Sequence, residues 1–199
     1  MEKKTKSKPI GDYKIIQFKT QKDFGKWLTK NHDKSPGIWI NFFKKDSGVK
    51  SINYKEALDE ALCYGWIDGQ ANSYDEKSWL QKFTPRRKRS IWSKRNTEHI
   101  ERLTKAGKMK SSGLKEVEAA KADGRWQKAY DSAGNMTMPD DFLKLLNKNK
   151  KAKKFFDTLN KTNLYSIAWR LQTAKKTETK EKRIKMIIEM LAKGEKFHG

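Results

Sequence analysis

The sequence predicts an α+β fold, with a small N-terminal sheet and its helices followed by an all-helical C-terminal part. Runs of strand length and composition occur only before Pro85, and from Trp92 onward apolar residues recur at helical spacing almost to the end. A chain of 199 residues is long enough to bury a core of its own. We expect a disordered tail over residues 1–9, an α+β module over 10–90 and a helical module over 91–199. No Gly/Ser linker interrupts the stretch between Pro85 and Trp92, so the two modules are expected to pack as one unit.

Taken in order, Tyr13–Phe18 reads as a short strand. Thr20 followed by Asp23 approximates a capping box, after which Phe24, Trp27 and Leu28 form a helical apolar face that Ser35-Pro36-Gly37 stops. Ile38–Phe43 is a nearly continuous apolar run, as a strand buried on both faces requires. Asn53 and Glu56 make a second capping box, opening a helix with Ala57, Leu58, Ala61 and Leu62 inward and Gly65 past its end. Trp66–Tyr74 and Trp79–Thr84 then read as a hairpin around 75–78. Helical patterns follow through Ile100, Leu103 and Ala106, then through Leu114, Val117 and Ala120 to Gly124. Met138-Pro139-Asp140-Asp141 starts another helix, carrying Phe142 through Leu159 in one continuous phase. Two last helices hold Leu164–Leu171 and Ile184–Leu191. The lysine-rich run 148–154 reads as a solvated face.

Composition restricts the function. Charged residues make up 35% of the chain and the formal net charge is +22, unevenly spread. Residues 10–80 hold eleven lysines against ten acids and no arginine, whereas 81–130 hold fifteen basic and five acidic residues. A basic remainder behind a near-neutral start suggests an anionic ligand, an acidic partner or a nucleic acid. Solvated basic helix faces would give the same balance. No apolar run approaches the ~18 residues that span a bilayer, and the N-terminus lacks the apolar stretch of a secretory signal. The single cysteine, Cys63, excludes an internal disulfide and suits a reducing compartment, so a cytoplasmic location is expected.

The residues offer little dedicated catalytic chemistry. Cys63 closes an apolar helix and reads as a buried structural thiol. Three histidines without metal-ligand spacing predict no metal site, and no motif calls for a cofactor. Glu56, Asp59 and Glu60 with Asp75-Glu76 read as a solvated acidic face or a weak site for a hard cation. Asp68, between Trp66-Ile67 and Gly69, is either buried against an arginine of the Thr-Pro-Arg-Arg corner, or capping backbone amides, or a general base. The segment 82–95 is the densest signal: seven basic residues in fourteen, no acid, with Phe83 and Trp92 interleaved. Guanidinium forks, helix N-terminal amides and aromatic faces are what an anion site needs, and they also suit single-stranded nucleic acid. A charged surface corner remains the plain alternative. Arg125-Trp126 repeats the pairing of arginine with tryptophan, so the ligand-binding candidates are Asp68, Arg86, Arg87, Trp92, Ser93, Asn96, Arg125 and Trp126, gathered where the two modules meet.

Several of these residues carry a resemblance. Cys-Tyr-Gly-Trp-Ile-Asp-Gly (63–69), Phe-Thr-Pro-Arg-Arg (83–87), Ser-Ile-Trp-Ser-Lys-Arg-Asn (90–96), Gly-Arg-Trp (124–126) with Ala129-Tyr130, and Ala174-Lys175-Lys176 with Glu178-Thr179 resemble the bacteriocin-protection, YdeI/OmpD-associated family of bacterial proteins. The likeness runs from about residue 20 to 195. Lys180 stands where that family's pattern usually has an arginine, which weakens any argument for an arginine fork there. The resemblance implies a bacterial cytoplasmic protein with an α+β first part, a helical second part and a link to envelope stress and bacteriocin tolerance. It carries no catalytic residue over. The leading expectation is a non-catalytic stress or bacteriocin-protection protein binding an anionic ligand or partner. A nucleic-acid-binding module is the second reading, and a small-molecule enzyme using Asp68 and the Arg86 region the third.

Overall fold

A computed structural model describes residues 12–131 and 135–198; the expected tail over 1–9 lies outside them. The described chain is α+β, in the predicted order. It divides into two compact units. One ends at Trp92 and resumes over Asn96–Lys128; the other takes Ser93–Arg95 and continues from Ala129.

The first unit is built on a four-stranded sheet in the order β1-β2-β4-β3. β1 is only Ile15–Ile16, shorter than the Tyr13–Phe18 expected, because it pairs in parallel with just Trp39 and Ile40 of β2 (Ile38–Phe43). β2 is antiparallel to β4 (Ser78–Pro85), with Ile38 opposite Phe83, Ile40 opposite Gln81 and Phe42 opposite Trp79. β3 (Trp66–Ser73) completes the hairpin, and its register shifts between Asp68 and Ala71. That bulge leaves main-chain carbonyls to be satisfied. The buried Gln81 answers by donating Nε2 to the Gly69 carbonyl at 2.8 Å.

Two helices meet the aromatic residues of this sheet. α1 (Gln21–Asn31) starts at Thr20, whose hydroxyl accepts from the Asp23 amide and donates to the Asp23 carboxylate. It brings Phe24 within 6.0 Å of Phe83 and Trp27 within 5.7 Å of Trp66, both ring pairs edge-on. α2 (Tyr54–Cys63) opens with the capping box read from the sequence: the Asn53 side chain accepts from the Glu56 amide, and the Glu56 carboxylate accepts from the Asn53 amide. Gly65 follows it in the left-handed region, φ 77°, and turns the chain into β3. The Arg86 amide donates to the Gly65 carbonyl, which ties the far end of β4 to this turn. α3 (Lys94–Lys105), from Asn96 on, and α4 (Ser111–Ala122) complete the unit.

The second unit buries Phe142, Leu146, Ala152, Ile167, Leu171, Ile184, Ile187 and Leu191 in one cluster. These residues lie on α5 (Asp140–Lys148), α6 (Lys150–Phe156), α7 (Lys161–Gln172) and α8 (Thr177–Ala192). The continuous phase expected from Phe142 to Leu159 is interrupted at Asn149. There the backbone leaves helical geometry and the Asn149 side chain accepts from the Ala152 amide, capping α6. Periodicity hides such a break, because an asparagine cap can restart the helix without losing the apolar phase. Lys180 at the start of α8 donates to Asp141 at the start of α5, and that bond helps hold the Asp141 carboxyl below its ordinary range.

Candidate functional site

The Thr-Pro-Arg-Arg corner keeps its first arginine inside and turns the next three cations outward. Arg86 is buried, donates to the Ile91 carbonyl at 3.2 Å, and lays its guanidinium 3.4 Å from the Trp92 ring centre. Trp92 is itself buried and packs on Trp126 at 5.1 Å. Arg125 adds a clasp. Its Nη1 donates to the Ser90 carbonyl at 2.8 Å while Nε holds the Asp123 carboxylate. Arg86, Trp92, Arg125 and Trp126 are thus brought together as the framework of the corner. Arg87, Lys88 and Arg89 are exposed, and Arg89 adopts φ 68°, a left-handed conformation that reverses the chain. Among the described residues, none of these three has a carboxylate within ion-pairing distance.

The remaining candidates go elsewhere. Asp68 accepts the Tyr54 hydroxyl at 2.7 Å, so the carboxylate is taken by a phenol and not by the arginine expected from the corner. The reason is visible in the register. Asp68 stands opposite Phe83, where Tyr54 of α2 reaches it, while Arg86 lies beyond the Trp66–Pro85 pair where the chain leaves the sheet. Asn96 is buried in the first turn of α3. Ser93 forms a parallel bridge with Tyr130 and belongs to the second unit.

A polar cluster that sequence reasoning missed lies on α2 and α3. Asp59 Oδ1 meets His99 Nδ1 at 2.6 Å and Arg102 Nη2 at 2.6 Å. Burial works to raise the Asp59 carboxyl, but the Arg102 and His99 hydrogen bonds outweigh it and hold the group below the ordinary 3.8. The acidic face read from Glu56, Asp59 and Glu60 is therefore not a shared solvated surface. Asp59 is internal, Glu56 closes the capping box, and Glu60 accepts from Gln21 at 2.9 Å. The only advance signal was the His99/Arg102 spacing of three on one helix, with nothing to identify a partner forty residues upstream. One turn beyond Asp59, burial and the charges of Glu60 and Asp59 push the Cys63 thiol up to about 12. A thiol of that kind stays protonated at neutral pH and is no nucleophile.

Residues 16–116, just over half of the chain, match the family described as Domain of unknown function (DUF8412). The chain belongs to that family. Residues 135–194 match the model for Bacteriocin-protection, YdeI or OmpD-Associated proteins, the family that the sequence resembled. The Cys63–Gly69 and Phe83–Asn96 motifs fall in the DUF8412 part, Ala174–Thr179 falls in the bacteriocin-protection part, and Gly124–Trp126 lies between the two. No curated protein and no solved structure matches the chain. Among the described residues of this DUF8412 member, no helix is long and apolar enough to cross a membrane, and no three His, Cys, Asp or Glu side chains are grouped to hold a metal ion.

Proposed function

We propose that this DUF8412 chain is a non-catalytic stress-protection protein of the cytoplasm that binds an anionic partner at Arg87, Lys88 and Arg89. Its bacteriocin-protection segment supports the biological setting. The observation that carries the binding role is the outward triplet of cations on a corner whose Arg86, Trp92, Arg125 and Trp126 side chains turn inward. Three neighbouring positive charges repel one another, and a phosphate or carboxylate partner removes that cost. The cytoplasmic location rests on a lone, buried cysteine that has no disulfide to protect.

Nucleic acid is the second reading, favoured by the net charge of +22. At the corner itself it lacks a stacking platform, since the Trp92 ring is covered by Arg86 and Trp126. Asp68 and Arg86 are engaged in separate packing contacts, so their geometry lends no support to the enzyme reading. The test is binding of a polyphosphate and of single-stranded DNA as salt is raised, in the wild type and in Arg87→Ala/Lys88→Ala/Arg89→Ala. The wild type should lose affinity with a log–log slope of roughly 0.7 per DNA phosphate neutralised. The triple variant should flatten that slope for both ligands. Equal flattening from replacing the lysines of 148–154 would show diffuse attraction and count against a site at the corner.

A further inference from the structure

A second site lies on the first unit, away from the basic corner. Phe42 of β2 and Trp79 of β4 face each other across the ladder with ring centres 4.8 Å apart and planes tilted by only 21°. Tyr54, at the start of α2, stands 6.2 Å from Trp79 and 6.5 Å from Phe42. These three rings line an open cavity of about 430 Å³, together with Lys44, Lys45 and residues 49–53 of the loop that follows β2. Trp79 and Tyr54 are only half-buried, so ring surface remains open to a ligand. The Tyr54 hydroxyl donates to Asp68 at 2.7 Å, which anchors the far end of the ring.

The charged side chains that line the cavity are all lysines. Its lining includes Lys44, Lys45 and Lys50 and contains no aspartate or glutamate. The acids nearby in sequence are partly spent: Glu56 closes the α2 capping box, and Asp75 accepts from the Lys77 amide in the hairpin turn. Asp46 is exposed on the loop between the lysines. Lys44 donates to the Glu76 carbonyl at 2.7 Å, which leaves exposed Lys45 and Lys50 as the cations of the rim. The volume falls in the range of small-molecule pockets, roughly 300–1,000 Å³.

We infer that this cavity binds a planar heteroaromatic phosphate of the nucleoside monophosphate class, its ring against Trp79 and Tyr54 and its phosphate between Lys45 and Lys50. Ring and anion are each weak handles alone. Stacking on half-buried aromatic side chains and attraction to a pair of ammonium groups bind well only when one molecule offers both base and phosphate. The inference does not depend on the corner, whose cations lie on another segment.

The experiment is calorimetric titration of the full chain with adenosine monophosphate, adenosine and ribose 5-phosphate. Adenosine monophosphate should bind at least about tenfold more tightly than either fragment. Lys45→Glu/Lys50→Glu, two exposed positions whose exchange spares the core, should weaken it about tenfold or more, and Trp79→Leu by about tenfold. The Arg87→Ala/Lys88→Ala/Arg89→Ala variant should leave this affinity within about twofold, which separates the cavity from the corner. Absence of binding at millimolar ligand, equal binding by ribose 5-phosphate, or affinity untouched by the lysine pair would each overturn the assignment.

Discussion

Gly113→Ala is expected to lower the unfolding free energy by about 2 kcal/mol, although helix propensity alone favours alanine by about 1 kcal/mol. The sign is decided by what a Cβ would meet. At Gly113 it would run into the Cys63 carbonyl group, with the Leu62 carbonyl close behind. Both neighbours are backbone at the end of α2 and cannot step aside by rotating a side chain. The same approach is held by the Lys110 amide, which donates to the Cys63 carbonyl at 3.0 Å. Nearby, a Cβ at Gly65 would come within 3.1 Å of the Ser112 carbonyl, so glycines on both sides let α2 and α4 touch main chain to main chain. Urea unfolding of the variant is the measurement. A gain in stability would mean that α4 is not seated on the Cys63 carbonyl.

Asp59→Ala is expected to cost about 2–3 kcal/mol at neutral pH. Breaking a buried charge pair costs about 3–5 kcal/mol, and the half exposure of Arg102 brings that figure down. The pH dependence has a definite sign. The folded Asp59 carboxyl lies below its ordinary 3.8, so its stabilisation is fully present above that value and is lost as pH falls through the lowered one. The wild type should therefore show a steeper acid limb below about pH 4 than Asp59→Asn, which keeps an acceptor without the charge. Urea midpoints at pH 7 and pH 3 give the comparison. A difference between wild type and Asp59→Asn that is the same at both pH values would remove the ion cluster from the account.

Local signals made much of the fold legible. The Asn53/Glu56 capping box, the apolar run Ile38–Phe43 and the hairpin around 75–78 all depend on residues within a few positions of one another, and each formed where it was read. The site was less legible, because its contacts are chosen by register. Asp68 needed a donor, and the sequence offered arginines in plenty. Only the alignment of β3 with β4 shows that its side chain faces Tyr54. In the same way Phe42 and Trp79 are thirty-seven positions apart, and become a stacked pair only once β2 is laid against β4. Arginine beside tryptophan was a sound signal for proximity, as Arg86 on Trp92 shows, but not for exposure. A guanidinium that stacks inward serves the corner's shape, and the outward charge belongs to its neighbours Arg87, Lys88 and Arg89.

The short excursion Ser93–Arg95 has a consequence for dissection of the molecule. Ser93 bridges Tyr130, the Lys94 amide donates to the Tyr130 carbonyl at 2.8 Å, and the Lys94 ammonium meets Asp131. The second unit therefore recruits three residues from inside the segment matched by the DUF8412 model, and its chain is discontinuous. No single peptide bond divides the two units. An excised fragment beginning at Ala129 would arrive without the backbone donor that Tyr130 uses. A gene fusion or truncation planned from the family boundaries would sever that stitch.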